Sequence, residues 1–500
     1  MNKFYIAVLI WWVASAGTFF AQAEVKPHVL FSNGAVLQRG LAVPIWGSAN
    51  EGEKITVQFN GQEISTTAKN GRWLVRLKPI QAGGPFTLTI KGANTITLTN
   101  IWGGEVWLCS GQSNMGFQLS RAENAAQAMA TAGDSQLRLF SVPHEAADSP
   151  RQDISGAWQE STSQTASNFS AVAYFFGRDL RRALKVPVGL IDSSVGGTPA
   201  EAWTSRETLA ADPELKKVLE LYAANVRLFD PEKASADFKN ASQKHAEKVK
   251  AATLAGKTPP VAPKKATHPG ATAKRPAGLY NAMIAPLQPY ALAGVIWYQG
   301  EANSGRAEQY QVLFPALIRN WRQAWGQGDF PFLFVQIAPY AQMKPEIREA
   351  QLITAQRVPR TAMVVTTDVG EETDIHPKKK EPVGARLALA ASALAYGEKI
   401  EFSGPVYASM KTQGAKVILS FTHVGGGLMA KRGDLKGFKI AGVDGNFVPA
   451  TANIDGDTVV LSNASVKNPA AVRYGWDRVP EVNLFNKDGL PATPFRTDVK

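Results

Sequence analysis

The chain has a single cysteine in 500 residues, Cys109, and six histidines. One thiol excludes an intramolecular disulfide framework and a cysteine-built zinc cage. Acid is the scarcer charge: 42 Asp and Glu stand against 54 Lys and Arg, a formal net charge of +12. Beyond the N-terminus no apolar run approaches the length of a membrane span. Apolar residues make up 45% and charged residues 19%, with 43 Gly and 30 Pro. That balance excludes a disordered chain, a collagen-like chain and a coiled coil. At roughly 100–200 residues per domain, two to four domains are expected.

The N-terminus carries an address. Lys3 precedes an apolar run over residues 4–14 (FYIAVLIWWVA), and Ala21-Gln22-Ala23 offers a small-x-small cleavage site. Residues 1–23 therefore read as a secretory signal peptide, with no stable membrane insertion after cleavage. Export of a chain with one cysteine points to a bacterial periplasm, with extracellular release as the alternative.

The basic surplus is local. Residues 231–280 hold ten Lys or Arg and three Asp or Glu. That window belongs to an Ala-, Lys- and Pro-rich insert at about 207–276, predicted to be a short helical pair followed by an extended segment. It reads as a solvated surface excursion. No nucleic-acid recognition motif accompanies the charge, so no nucleic-acid partner is expected.

Residues 24–104 alternate with period two: Ile55, Val57 and Phe59, then Trp73, Val75 and Leu77, with Asn60-Gly61 as a hairpin turn. This predicts an N-terminal antiparallel β-sandwich. From Glu105 to about residue 398 the texture changes. Compact apolar runs (Val106 to Cys109, Val188 to Ile191, Gly294 to Tyr298, Pro331 to Ile337, Ala362 to Thr366) alternate with helix-like segments. Such runs suit parallel strands buried on both faces, in an α/β fold that binds ligands at the carboxyl ends of its strands. Residues 399–500 return to short strands and predict a second, smaller β-domain.

The chemistry-bearing residues fall at strand ends. Ser113, in Gly111-Gln112-Ser113-Asn114-Met115, follows the first apolar run. A serine on a glycine-lined strand-to-helix turn exposes its Oγ and offers backbone N–H groups to an oxyanion. Gly196 and Gly197 follow the second run; the segment reads either as a tight helix-entry turn ahead of Thr198-Pro199 or as glycines that let a backbone N–H approach a carbonyl oxygen. Gln299 ends the third and is a candidate amide donor. Glu301 beside it demands a partner if buried, such as an arginine or backbone N–H groups. A serine hydroxyl needs a base, and the base an orienting carboxylate. His376, in Asp374-Ile375-His376-Pro377, is the candidate base; Asp374 is the local carboxylate, with Asp368, Glu371 and Glu372 as rivals. His144 is a second histidine on a loop after a strand. No set of residues has metal-ligand spacing.

The blocks GQSNM, DSSVGGTPAEAW, YQGEAN and DIHP, in this order, resemble sialate O-acetylesterases and related carbohydrate acetylesterases of the SGNH hydrolase group. YNAMIAPL, REAQ, HPKKK and the C-terminal VRYGW extend the resemblance over most of the chain. It implies a three-layer parallel-sheet α/β catalytic domain flanked by N- and C-terminal β-rich domains. It implies Ser113 as nucleophile, His376 as general base and Asp374 as its acidic partner. Ser113, Gly196, Gly197 and Gln299 match the oxyanion hole, with Gln112, Asn114, Glu301 and Asn303 binding substrate or supporting the site. Gln299 stands where the wider group commonly has asparagine, and Asp374 is two residues from His376 where the group commonly spaces them by three. The implied activity is hydrolysis of O-acetyl esters on carbohydrates through an acetyl-serine, without metal or organic cofactor. Acetylxylan or another plant glycan is the alternative substrate. A non-catalytic glycan-binding protein is the alternative of another class.

Overall fold

The computed structural model describes residues 24–498. The predicted signal peptide lies outside the described residues. The fold is mixed α/β, with one large mixed sheet and further β-rich regions at both ends of the chain.

The N-terminal strands form as their alternation dictates. In Lys54–Phe59 the side chains of Ile55, Val57 and Phe59 are buried, and in Arg72–Leu77 those of Trp73, Val75 and Leu77. Asn60 and Gly61 both take positive φ, 44° and 77°, as a two-residue hairpin of this twist requires. No break follows at residue 104. A 17-residue strand, β1 (Thr95–Gly111), begins in this layer, antiparallel to Gly83–Lys91. Its second half lies in the central sheet.

That sheet continues with β2 (Asp134–Ser141), β3 (Val188–Ser194), β4 (Gly294–Tyr298), β5 (Phe332–Val335) and β6 (Thr361–Val364). Their spatial order is β2-β3-β1-β4-β5-β6, every neighbouring pair parallel; the short strand Gln159–Ser161 adds to β2 antiparallel. Alternate residues enter two different cores. Val106, Leu108, Val295 and Trp297 pack with Phe314, Leu317 and Trp321 of α2 (Ala307–Trp325). Trp107, Cys109, Ile296 and Tyr298 pack with Phe175, Phe176 and Leu180 of α1 (Ala171–Leu184) and with Val383 and Leu387 of α4 (Glu381–Leu394). Burial on both faces explains why these strands read as continuous apolar runs. Cys109 is one of those core residues, its thiol pushed well up by burial, so it is not available as a nucleophile.

The insert contains helices Pro213–Leu228 and Pro231–Leu254. The second runs 24 residues without one buried side chain. The C-terminal strands close around a core of their own, centred on Leu419, Ile440, Val459 and Tyr474. Helix α3 (Glu346–Arg357) holds this region to the central body. Glu349 takes a two-pronged contact from Arg496, at 2.8 and 2.9 Å, and buried Arg348 donates to the carbonyls of Asp477 and Arg478.

Candidate active site

Gly111 ends β1 at φ 141°, a conformation that side chains other than glycine rarely adopt. A Cβ there would meet the Tyr298 carbonyl oxygen at 2.2 Å. The chain then turns: Gln112 N–H donates to Tyr298 O at 2.9 Å, and the N–H groups of Met115 and Gly116 donate back to Gln112 O. Ser170, the N-cap of α1, donates to Met115 O at 2.6 Å and fixes the far side of the turn. Ser113 stands at its apex, half-buried. Gly111→Ala is expected to destabilise the protein by about 2–4 kcal/mol, because strain and a backbone clash fall on one residue. A thermal melt checks this.

The loop after β3 closes on the serine. Val195 N–H donates to Gly111 O at 3.1 Å. Gly196 lies so close that a Cβ on it would stand 3.3 Å from Ser113 Cβ. Gly197 has φ 69°. Both glycines are exposed beside Ser113.

His376 arrives on the loop after β6. Its Nε2 lies 2.7 Å from Ser113 Oγ, a hydrogen bond across 263 positions of sequence. Asp374 Oδ1 accepts from the His376 backbone N–H at 2.8 Å and lies 3.7 Å from the ring Nδ1. That ring contact is an electrostatic approach longer than a hydrogen bond. Two of the rival carboxylates face elsewhere. Asp368 is gripped by both terminal nitrogens of Arg386, and Glu371 accepts from the backbone of Lys378. His144 is exposed on its loop. Burial pulls the His376 imidazolium below its usual range; Asp374 opposes that, while Lys380 and Arg121 add to it. The ring is thus held neutral, as an acceptor for a hydroxyl proton.

Gln299 has a different position from the one its motif suggests. It is fully buried, its Nε2 donating to Thr198 O at 3.3 Å and to Asn303 Oδ1 at 2.7 Å, and its Oε1 accepting from Tyr310 at 3.0 Å. Both amide protons are engaged inside the protein. Asn303 is turned the same way: its Oδ1 also accepts from Ala200 N–H and its Nδ2 donates to Glu201. Together they brace the glycine loop from beneath. Gln112 accepts from Ala302 N–H at 3.3 Å and ties the serine turn to the β4 loop.

Glu301 is buried, with its carboxyl pushed upward chiefly by desolvation. Its partner is Asn114, whose Nδ2 donates to Glu301 Oε1 at 2.6 Å and to Ile375 O at 3.0 Å. Asn114 Oδ1 accepts from the ammonium of Lys380. Lys380 is 1% exposed and lies over the rings of Phe117 and Tyr298, at 4.8 and 5.3 Å. Desolvation pulls it down to about 7, against the attraction of Glu301. In the sequence Lys380 appears only as the end of the HPKKK block, with no role of its own. Arg306, five residues on, pairs with Glu201 and not with Glu301.

Residues 267–393 match a family of carbohydrate esterases described as sialic acid-specific acetylesterases. The sialate O-acetylesterase of Rattus norvegicus is 32% identical over 90% of this chain and 90% of its own. That of Homo sapiens is 30% identical over 98% of this chain and 95% of its own. Among solved structures, a carbohydrate acetylesterase from Xanthomonas citri is similar at TM-score 0.81 and 36% identity, covering 95% of this chain and all of that one.

Proposed function

The chain belongs to the sialate O-acetylesterase family of carbohydrate esterases, and from that premise we propose that it removes acetyl groups from carbohydrate hydroxyls with Ser113 as nucleophile and His376 as base. It is a carboxylic ester hydrolase, and we place its chemistry in a three-layer SGNH-type catalytic domain. The 2.7 Å approach of His376 Nε2 to Ser113 Oγ carries the assignment of residues.

The steps follow from the contacts. Ser113 Oγ attacks the acetyl carbonyl carbon as its proton passes to His376 Nε2. The carbonyl oxygen takes up negative charge, facing the backbone N–H groups of Ser113 and of Gly196 or Gly197. Gln299 and Asn303 act behind that loop, holding it in place. The C–O bond to the sugar breaks, and the imidazolium returns its proton to the departing oxygen. Water, deprotonated by His376, then attacks acetyl-Ser113; acetate leaves and Oγ recovers its proton. Asp374 favours the imidazolium formed in both halves.

Activity needs the neutral ring, so it is lost as pH falls through the His376 pKa. The acid limb of kcat/KM is expected to have its midpoint below 6.5, the ordinary imidazole value, because burial holds this ring lower. A pH–rate profile on a chromogenic acetate ester measures it; a midpoint above 6.5 would contradict the role.

The function is tested by acetate release from O-acetylated sialic acid and from acetylated xylo-oligosaccharides in parallel. Faster release from the sialic acid ester supports the sialate reading, and release from neither removes the esterase assignment. We also read residues 1–23 as an export signal to the periplasm; a mature N-terminus at Glu24 tests that.

A further inference from the structure

A second concavity lies apart from the serine. It is a cleft of about 930 Å³ between the N-terminal β-layer and residues 280–289 of the central body, with residues 150–153 along one rim. Neither Ser113, His376, Gly196 nor Gly197 lines it. Its size is that of a site for a small ligand.

The walls are unequal. The β-layer contributes Trp46, which is half-buried, together with Lys26, Lys69 and Arg72, which are exposed. Trp46 is braced from within by Phe31, edge-on at 4.7 Å, and by Tyr290, edge-on at 6.2 Å. A ring fixed in this way is a rigid platform for the C–H face of a pyranose. Asp153 lines the rim, but it already serves the wall. It accepts from Val29 and Ile154 N–H and lies 3.1 Å from Nε2 of buried His28. His28 is held neutral, pulled to about 4 by burial, and its Nδ1 accepts from Leu30 N–H. Its one ring proton is therefore on Nε2, the nitrogen beside Asp153. Arg72 is steadied at Nε by Gln152 Oε1 at 3.0 Å. Glu207 is the remaining acid at the cleft. Three cations on the side of the platform face it, so an anionic ligand is favoured over a neutral one.

We propose that this cleft is an ancillary subsite for a carboxylated sugar unit of the glycan, stacked on Trp46 with its carboxylate toward Arg72, Lys69 and Lys26. The proposal rests on the carbohydrate-esterase reading for the class of ligand. The chemistry required is a pyranose ring bearing a carboxylate, supplied equally by a sialic acid or a hexuronic acid. A unit held here would anchor a chain whose acetylated residue is presented elsewhere on the enzyme.

The test separates this cleft from the serine. Full-length enzyme is first phosphonylated at Ser113, then titrated by NMR with 3′-sialyllactose, with a glucuronic-acid-bearing xylo-oligosaccharide and with neutral xylohexaose. At least one acidic sugar is expected to bind at least tenfold more tightly than the neutral one. Its binding should weaken as salt is raised from 20 to 300 mM, since exposed charges are screened. Trp46→Ala and Arg72→Met are each expected to weaken it about tenfold, the scale of one lost charged hydrogen bond or ring contact. Lys69→Met with Arg72→Met alters only exposed side chains and serves if Trp46→Ala fails to fold. The two acidic probes decide which carboxylated sugar is preferred. Equal binding of the neutral sugar, binding indifferent to these substitutions, or no binding at millimolar concentration overturns the proposal. Turnover of a chromogenic acetate by the unmodified enzyme reports on the esterase reading separately.

Discussion

Ser113→Ala is expected to abolish acetate release, lowering kcat on the order of 10⁶-fold, while the melting temperature stays within a few degrees of the wild type. The magnitude follows from how serine hydrolases behave when the nucleophile is removed: what remains is the contribution of binding and oxyanion contacts. The small structural cost follows from the site. Ser113 is half-buried at the apex of a turn held by the Gln112 backbone, Tyr298 O and Ser170, none of which uses the Ser113 hydroxyl. The same substitution should remove labelling by an organophosphate probe. Retained turnover on an acetylated sugar by a folded Ser113→Ala protein would refute the covalent mechanism. Labelling of any other residue would move the nucleophile elsewhere.

Lys380→Met should also be damaging, although Lys380 is not placed to touch substrate. The argument begins with Asn114. It sits directly after Ser113, and its Nδ2 holds the carbonyl of Ile375, directly before His376. One amide thereby joins the loop of the nucleophile to the loop of the base. An amide can flip, and a flipped Asn114 would present oxygen to two oxygens. The Lys380 ammonium on Oδ1 and the Glu301 carboxylate on Nδ2 forbid that. Methionine keeps the length and the contact with Phe117 and Tyr298 but removes the donor. Glu301, already pushed upward by burial, can take up a proton, which limits the cost of leaving it without its cation. The expected loss is about 10²-fold in kcat with KM little changed, the scale of a displacement of about 1 Å between reacting groups. Asn114→Ala should match it. The combined variant should be no slower than Asn114→Ala alone, because both changes break one device. Independent, multiplying losses would show that Lys380 acts by another route. Rescue by Lys380→Arg would show that the cation, rather than the shape of lysine, is what the amide needs.

The candidate site was legible in the sequence to differing depths. Ser113 and His376 could be read because their chemistry demands local signals: a glycine where β1 meets Tyr298 O, and a histidine beside an acid and a proline at a strand end. Gly196 could be read for the same reason. Gln299 could be placed at a strand end but not aimed. Whether its amide points to the serine or to Thr198 and Asn303 depends on contacts about 100 and four positions away, and no local pattern encodes that choice. Lys380 was hidden by its neighbours. Lys378 and Lys379 are exposed, and only the third lysine turns inward where α4 begins. The REAQ block had no physical meaning as a string. In the fold, Arg348 and Glu349 hold the C-terminal strands, while Gln351 donates to the carbonyls of Gln299 and Val335, each at 3.1 Å. The alternating pattern of the N-terminal region and the two-sided burial of the central strands were both plain from periodicity. The uninterrupted passage of one into the other was not, because a change of hydrophobic period looks like a domain boundary whether or not the strand stops.

That passage has a consequence for how the molecule comes apart. β1 is the middle strand of the central sheet and also a strand of the first β-layer, paired there with Gly83–Lys91 and with Val36–Gln38. Gln38 of that layer donates to Glu105 and accepts from Val106 N–H, and Tyr290 reaches back to Val36 O at 2.6 Å. The leading 80 residues of the described chain are therefore a keel laid along the strand that bears the nucleophile. They cannot be exchanged like a module on a tether, nor melt on their own without freeing the edge that β1 leans on. Calorimetry should find them lost in the same transition as the central sheet. The C-terminal strands, with a core of their own, have the means to come away first.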